Sequence, residues 1–212
     1  VSGLLDGNIY SLSISGTDLA GNSGTTVTNT NITYDLTGPS FGSVTPADNT
    51  RIRAATKAVS WTNSEAVSSG EVKYTGTAGP DSGVARSSPF GAGEKTSGQH
   101  SLDVAGLVEG STYTLTVSGT DIAGNAGSAA AHTGILFDDQ NPSFTPLTPA
   151  NNARVNLAGR VVNWSNSEAL SSGQVSYTST AGSDSGSSYA ASMAGKLAKA
   201  NQSIDIGGLV DG

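Results

Sequence analysis

The residues of this chain that could do chemistry are a set of carboxylates. Six of them are candidate metal ligands: Asp35, Glu65, Asp121, Asp138, Asp139 and Glu168. Calcium takes about six to eight oxygen ligands and tolerates irregular geometry, so carboxylates and amides that a fold gathers suit this ion. The set predicts a calcium site, provided that the fold brings its members together. The alternative interpretation is that Asp121 and Asn125 only bond their own backbone in an Asx turn.

Other kinds of reactive site are not indicated. Cysteine is absent, which excludes disulfides and thiolate metal sites. His100 and His132 have no second histidine near them in sequence, and we expect both to be surface residues on strands. The segment Gly91–Thr96 contains Gly, Lys and Thr, but not in the order of a phosphate-binding loop. The sequence therefore predicts a protein that is not an enzyme.

The composition of the chain indicates which classes of binding partner and which cellular location to expect. The 212 residues carry a net charge of −7, from 17 acidic and 10 basic side chains. This charge argues against nucleic acid, because a basic face has to neutralise phosphates. No apolar run approaches the roughly 20 residues that span a bilayer, so no membrane insertion is expected. Only 13% of residues are charged, and the dominance of Ser, Thr, Gly, Asn and Ala is typical of an exported bacterial protein.

An internal repeat organises the chain. The segment Gly16–Asn22 returns 103 residues later as Gly119–Asn125, and Val59–Gly83 returns at the same distance as Val162–Gly186. A Leu-Val-Glu-Gly motif at 107–110 has counterparts at 4–7 and 209–212. The last step is 102 residues, so one residue is lost between Ser187 and Gln202. A unit of this length is the size of a whole sandwich domain.

Proline-containing linkers give the expected boundaries between repeats. The segments Asp35–Pro39 and Asp138–Pro142 each lead from acidic residues into a proline, and a phenylalanine follows. They predict that residues 1–37 close one repeat, 38–139 form a complete repeat, and 140–212 open a third. We therefore expect the chain to be a piece of a longer protein.

Strict alternation of apolar and hydroxylated residues predicts strands with one buried face. In Tyr113–Thr120, the apolar Tyr113, Leu115 and Val117 share one face and the hydroxyls share the other. The same alternation recurs in other pairs: Val59 and Trp61, Val72 and Tyr74, Leu102 and Val104, Ile135 and Phe137. No stretch keeps a helical period, and we expect Ala190–Ala200 to be irregular because of Gly195. The pattern predicts an antiparallel sandwich of seven strands in residues 38–139 with Trp61 at its core. The residues expected around Trp61 are Val59, Val72, Tyr74, Leu102, Leu107, Tyr113, Leu115, Val117 and Phe137.

Three motifs carry a resemblance to known families. The segment Leu107–Val117 resembles the turn into strand F of fibronectin type III and related Ig-like domains, with Tyr113 as the corner tyrosine. The resemblance implies that the Tyr113 hydroxyl bonds back to the chain upstream. Trp61 lies where these domains have the strand B tryptophan. The combination of Ser64–Ala66 with Gly119–Asn125 resembles the bacterial Ig-like repeats of giant adhesins and other surface proteins. The resemblance implies an all-β fold of tandem immunoglobulin-like antiparallel β-sandwich repeats of about 103 residues.

The implied topology positions the candidate ligands. The B–C and F–G loops of an Ig-like domain lie at the pole where the chain enters, so Glu65 and Asp121 should approach the linker that carries Asp35. At the next junction, Asp138 and Asp139 would face Glu168. The segment 137–144 also resembles the calcium-binding linker of cadherins, in which oxygen-rich residues precede a proline. The resemblance implies calcium between domains.

The expected function is structural: an extracellular module acting as a spacer or stalk, or as a filament- or surface-layer-forming segment, of a large bacterial surface protein or adhesin. Its partners would be neighbouring repeats or copies of the same protein, and a host or matrix ligand would bind through domains outside this chain. One alternative is a module that binds a glycan or receptor, which would need exposed aromatics. Its candidates, Phe90 and Tyr189, are expected to be isolated in a loop. Another alternative is an accessory domain of a secreted polysaccharide-degrading enzyme.

The two incomplete repeats hold complementary parts. Residues 1–37 would supply strands F and G, whereas 140–212 would supply strands A to E. Two explanations stay open: the chain is a window of a longer array, or strands F and G of one molecule complete strands A to E of the next. Both predict that Tyr10, Leu12 and Ile14 pack against a surface formed by residues such as Val162 and Trp164 in a neighbouring copy.

Overall fold

The fold was determined as a computed structural model that describes residues 2–54, 57–156 and 160–209. The end of the third copy of the Leu-Val-Glu-Gly motif, Val210–Gly212, lies outside the described residues. The chain divides into two compact units, Val1–Asp139 and Gln140–Gly212. The division into three repeat segments stays a prediction.

The first unit contains ten strands. They are β1 (Asn8–Ile14), β2 (Val27–Tyr34), β3 (Phe41–Thr45), β4 (Arg51–Ile52), β5 (Val59–Asn63), β6 (Val67–Ala78), β7 (Ala85–Pro89), β8 (Gly98–Leu102), β9 (Thr112–Asp121) and β10 (Ala130–Phe137). Strands β3 to β10 form two sheets, in the orders β3-β5-β8 and β4-β10-β9-β6-β7. Within the described ranges, strands β1 and β2 pair with each other alone, as a separate antiparallel hairpin.

The sandwich differs in one respect from the seven antiparallel strands predicted. Eight strands build it, and the short β4 runs parallel to β10. The first strand of the sandwich is divided into β3 and β4 by an interruption after Thr45. The interruption arises because Pro46 has no backbone N–H to donate and Asn49 turns the chain with a φ of 57°. The strand before the interruption therefore pairs with β5 in one sheet, and the strand after it pairs with β10 in the other.

Trp61 is fully buried at the centre of the sandwich, as predicted. The ten residues expected in the core are all buried or packed against it: Val59, Trp61, Val72, Tyr74, Leu102, Leu107, Tyr113, Leu115, Val117 and Phe137. The expectation for Phe90 was wrong. It is only 6% exposed, and its ring stacks on Trp61 with centroids 4.9 Å apart. It reaches the core over Gly70, where a Cβ would lie 2.3 Å from the ring.

The second unit repeats the first half of the sandwich. Its strands are β11 (Val161–Ser165), β12 (Gln174–Thr178), β13 (Ser188–Ser192) and β14 (Asn201–Asp205). Strand β11 pairs with β14, and β12 pairs with β13. The buried apolar residues among those described in this unit are Val162, Trp164, Met193 and Ile206. The segment Ala190–Ala200 contains no helix, but it is not irregular throughout as expected, because its first three residues belong to β13 and only 193–200 are turns and loop.

The contacts of two equivalent asparagines show where the second unit is one residue shorter than the first. Asn63 donates to the carbonyls of Glu94 and Thr96, and Asn166 donates to those of Lys196 and Ala198. The asparagines are 103 residues apart, whereas the carbonyls that they bind are 102 apart. Since Met193 still takes the place of Phe90 at a distance of 103, the deletion lies between Met193 and Lys196.

Candidate functional site

A cluster of carboxylates lies at one pole of the sandwich. Glu65 is on the turn between β5 and β6, Asp121 ends β9, and Asp35 follows β2 in the linker. One oxygen from each of the three lies within 4.8 Å of the others. Asp121 is buried, and Asp35 and Glu65 are half-buried. The structure thus brings together the three residues that the topology of the sequence placed at the first junction.

Asp121 holds the turn between β9 and β10. Its Oδ1 accepts hydrogen bonds from the backbone N–H groups of Gly124 at 2.6 Å and Asn125 at 2.8 Å, and its Oδ2 accepts one from Asn125 Nδ2 at 2.8 Å. Burial alone would raise the pKa of this carboxyl, but the hydrogen bonds from Asn125 and the neighbouring backbone outweigh it and lower the pKa. The Asx-turn interpretation therefore describes the local geometry of Asp121.

The linker is tied to this pole by direct contacts. Asn125 Nδ2 donates a second hydrogen bond, of 3.0 Å, to the carbonyl of Asp35. Ser64 Oγ accepts a hydrogen bond from the Ser40 amide at 2.9 Å. Gly38 passes so close to the β9–β10 turn that a Cβ there would lie 2.3 Å from the carbonyl oxygen of Ala126. A larger residue at position 38 would push the linker away.

The pKa of Glu65 is raised above its ordinary value. Burial is the largest cause, followed by the negative charges of Asp35, Asp121 and Asp6. The cluster is therefore a site of unfavourable charge in the absence of a cation. Such an arrangement has the electrostatics, and the all-oxygen donor set, that suit calcium rather than a soft metal.

Asp6 was missed by the sequence analysis. It accepts hydrogen bonds from the Leu36 amide at 2.7 Å and the Thr37 hydroxyl at 2.5 Å, so it holds the linker from the hairpin side. A signal for this role was present in the repeat. Asp6 corresponds to Glu109, whose Oε2 accepts a hydrogen bond from the Asp139 amide at 2.6 Å. In both copies, the acidic residue before the glycine of the Leu-Val-Glu-Gly motif accepts a backbone hydrogen bond from the segment that follows the last strand of the repeat, β2 or β10.

The other three predicted ligands do not join this cluster. Asp138 pairs with Arg51 at 3.3 Å, and Asp139 accepts the amide of Ala54 at 3.1 Å. Glu168 belongs to the second unit, where it is half-buried. Among the described residues, the one group of three potential metal-ligating side chains is Asp35, Glu65 and Asp121. If each carboxylate supplies one oxygen, as in this group, three of the about six oxygens of a calcium shell are present, and backbone carbonyls or water would have to complete it.

A tyrosine corner closes the opposite end of β9. The hydroxyl of Tyr113 accepts the amide of Val108 at 2.8 Å and donates to Asp81 Oδ2 at 2.8 Å. Asp81 also binds Arg86 through two hydrogen bonds of 2.7 and 2.8 Å. The predicted hydroxyl contact upstream of Tyr113 is confirmed.

Residues 35–137 match a family model described as a bacterial Ig-like domain. This segment is a bacterial Ig-like domain. A search of curated proteins found no match to the chain. The match covers the sandwich and the linker aspartate of its carboxylate cluster, so the cluster belongs to the Ig-like domain and its entry segment.

The remaining chemical candidates of the Ig-like domain have structural contacts. His100 on β8 contacts the carbonyl of Thr96 through Nε2 at 2.8 Å, and His132 on β10 contacts the carbonyl of Pro46 through Nδ1 at 2.7 Å. The segment 91–96 is fixed by Asn63, which donates hydrogen bonds to the carbonyls of Glu94 and Thr96. Within the described residues, no helix is long and apolar enough to cross a membrane.

Proposed function

We propose that this chain is a structural segment of a large bacterial surface protein, in which Ig-like repeats act as an extracellular spacer. The observation that carries the proposal is the repetition of one set of contacts at a distance of 103 residues. Tyr10 binds the Leu5 amide at 2.7 Å as Tyr113 binds that of Val108. Asp18 holds its turn through Asn22 as Asp121 does through Asn125.

The joint between the β1–β2 hairpin and the Ig-like domain supports a spacer of defined geometry. Asp6 binds the linker from one side, and Asn125 binds it from the other. The close approach at Gly38 leaves the linker little freedom. A stalk needs such joints, because flexible linkers would let a chain of domains collapse into a coil.

The binding-module alternative loses its sequence candidates. Phe90 is buried in the core, and Tyr189 is half-buried with its hydroxyl donating to Asp184 at 2.7 Å. The accessory-domain alternative shares the same fold and would be distinguished by the domains attached to the segment. Calcium at the Asp35, Glu65 and Asp121 cluster stays a prediction of this proposal.

Two measurements on the producing bacterium test the spacer function. Antibodies raised against residues 35–137 should label intact cells, and external protease should remove the label. Deleting residues 36–138, which is one repeat, should shorten the surface projection seen by electron microscopy while its terminal domains keep their activity. A segment that is inaccessible on intact cells, or a deletion that abolishes the terminal activity without shortening the projection, would overturn the proposal.

A further inference from the structure

The first strand segment of the Ig-like domain runs beside the last one from one pole of the sandwich to the other. The first segment, residues 40–54, carries β3 and β4, and the last segment, residues 128–139, carries β10. Near the entry pole, Ser40 forms a parallel bridge with Ser128. At the exit pole, the backbone N–H of Ala54 donates to Asp139 Oδ1 at 3.1 Å. We call the parallel arrangement of these two segments the terminal-strand contact.

The turn that separates β3 from β4 is part of this contact. The carbonyl of Pro46 contacts His132 Nδ1 at 2.7 Å, and Asp48 Oδ1 accepts a hydrogen bond from the Thr133 amide at 2.5 Å. Asn49 donates its backbone N–H to the carbonyl of Thr133 at 2.8 Å. Strand β10 has a register shift just after His132, so its backbone is free to bond to the turn here. The interruption of the first strand therefore adds contacts to β10.

Backbone hydrogen bonds join β4 to β10 after the turn. The N–H of Leu136 donates to the carbonyl of Thr50 at 3.0 Å, and the N–H of Asp138 donates to the carbonyl of Ile52 at 2.8 Å. An ion pair of 3.3 Å between Arg51 and Asp138 lies beside them. Since the Arg51 side chain is 68% exposed, this ion pair adds little, and the backbone bonds hold β4 in place.

The chain enters and leaves the Ig-like domain at opposite poles. Gly38 passes next to the turn that follows β9, whereas the N–H of Phe137 donates to the carbonyl of Ser111, just before β9 begins. Strand β9 has ten residues, so the two poles are about 30 Å apart. A pull on both ends of the domain moves the first and last segments in opposite directions along their own axes. The hydrogen bonds between them are then loaded together and not one after another.

We propose that the terminal-strand contact is a mechanical clamp, which lets the Ig-like domain carry tension along the chain without unfolding. The proposal rests on the proposed spacer function and adds that the spacer works under load. Bonds that must break together raise the barrier to unfolding under force, whereas the equilibrium stability of the domain does not depend on where it is pulled. Forced unfolding is governed by the unfolding rate, so the clamp is measurable as slow unfolding in one pulling direction.

Single-molecule pulling in two directions tests the clamp. The chain has no cysteine, so pairs of introduced cysteines set the points at which force is applied. Leu36→Cys with Gln140→Cys loads the Ig-like domain from end to end and leaves the β1–β2 hairpin and the second unit outside the loaded path. Ala54→Cys with Gln140→Cys pulls β4 and β10 apart from the end that they share, one bond at a time. All three positions are exposed.

End-to-end pulling should give the slower unfolding at the same constant force. At about fivefold per bond, three backbone bonds broken together instead of singly make unfolding about 25-fold slower. Release of about 340–370 Å of extended chain between positions 36 and 140 identifies unfolding of the whole domain. Urea unfolding of the two double variants should give the same stability, so that the rates report direction alone. Equal rates, or faster unfolding end to end, would overturn the proposal.

Two substitutions of Asp138 in the end-to-end chain separate the backbone bond from the ion pair. Asp138→Pro removes both the N–H that donates to Ile52 and the carboxylate that pairs with Arg51, whereas Asp138→Ala removes the carboxylate alone. Asp138→Pro should unfold about fivefold faster than Asp138→Ala at the same force. Equal rates of the two variants would contradict a clamp made of backbone bonds. Either failure would leave the spacer function untouched, because that function rests on surface exposure.

Discussion

Trp61 donates its indole N–H to Asn63 Oδ1, 2.7 Å away and two residues further along the same strand. Trp164 and Asn166 make the same contact at 2.6 Å in the second unit. Both asparagines are buried, and each donates its amide N–H groups to two backbone carbonyls of a loop, the one before β8 for Asn63 and the one before β14 for Asn166. The asparagine side chain thus gives the buried tryptophan N–H a hydrogen-bond partner and at the same time fixes the loop.

The first prediction concerns this buried amide. Asn63→Ala should lower the free energy of unfolding of the Ig-like domain by about 2–4 kcal/mol, because it removes the partner of the buried Trp61 N–H and of the Glu94 carbonyl, and leaves the Thr96 carbonyl with only its contact to His100. Urea unfolding followed by tryptophan fluorescence measures the change. Gln99→Ala, at an exposed position on the neighbouring strand, is the control and should have little effect. Equal effects of the two substitutions would contradict a structural role for the amide.

The second prediction compares two equivalent tyrosines. Tyr113→Phe removes a hydroxyl that binds both the Val108 amide and Asp81 inside the folded domain, and it should cost about 1–3 kcal/mol of stability. Tyr10→Phe removes the same contact with the Leu5 amide from the exposed hairpin and should leave the main unfolding transition unchanged. Calorimetry on dilute protein distinguishes the two. A main transition shifted equally by both would show that the hairpin and the sandwich unfold as one unit.

Much of the fold could be predicted because the alternation of apolar and polar residues along a strand indicates which side chains are buried, and because the same pattern recurs in each repeat. Trp61, Tyr113 and Leu115 lie in strands whose polar neighbours face outward, so their direction follows from position alone. Phe90 could not be placed in this way. It follows β7 in a segment without alternation, and its burial depends on the absence of a side chain at Gly70, a distant residue.

The candidate site could be predicted only where the topology fixes it. Asp35, Glu65 and Asp121 are each adjacent to a strand end, and the order of the strands brings those ends to one pole. Asp6 was missed because its role is a hydrogen bond to the linker 30 residues away, which no local pattern signals. The partner of Asp138 could not be predicted from the sequence either, because Arg51 lies near it only through the parallel pairing of β4 with β10.

The third prediction follows from the raised pKa of Glu65. A carboxyl that holds its proton more tightly in the folded state than in the unfolded chain destabilises the fold as the pH rises above its ordinary pKa of 4.5. Glu65→Gln should therefore raise the melting temperature at pH 7 in the presence of a chelator. At about pH 3.5, where the carboxyl is protonated in both states, the variant and the parent chain should melt together.

A charge-matched control separates this local effect from a change in net charge. Glu71→Gln removes the same charge from the middle of β6, where Glu71 pairs with Lys73 at 3.2 Å. It should not raise the melting temperature at pH 7. If both substitutions stabilise the chain equally, the cause is the net charge of −7 and not the proximity of Asp35, Asp121 and Asp6.

The last prediction concerns calcium at the same cluster. Burial is the largest cause of the raised pKa of Glu65, and the charges of Asp35, Asp121 and Asp6 follow. A cation bound there would relieve the repulsion among these carboxylates, and binding to the folded state alone must stabilise that state. At about 100 times its Kd, calcium should stabilise the domain by about 2.7 kcal/mol and raise the melting temperature relative to chelator. Identical melting curves in the two conditions would rule out this site.

Two substitutions locate any calcium effect. Glu65→Gln removes a ligand of the cluster and should abolish the rise in melting temperature, although it stabilises the chain in chelator. Glu168→Gln removes the carboxylate predicted for the other junction and should leave the rise intact if the ion binds among Asp35, Glu65 and Asp121. The reverse pattern would move the site to the second unit. A rise that survives both substitutions would instead reflect general screening of the acidic chain, which magnesium at equal concentration would reproduce.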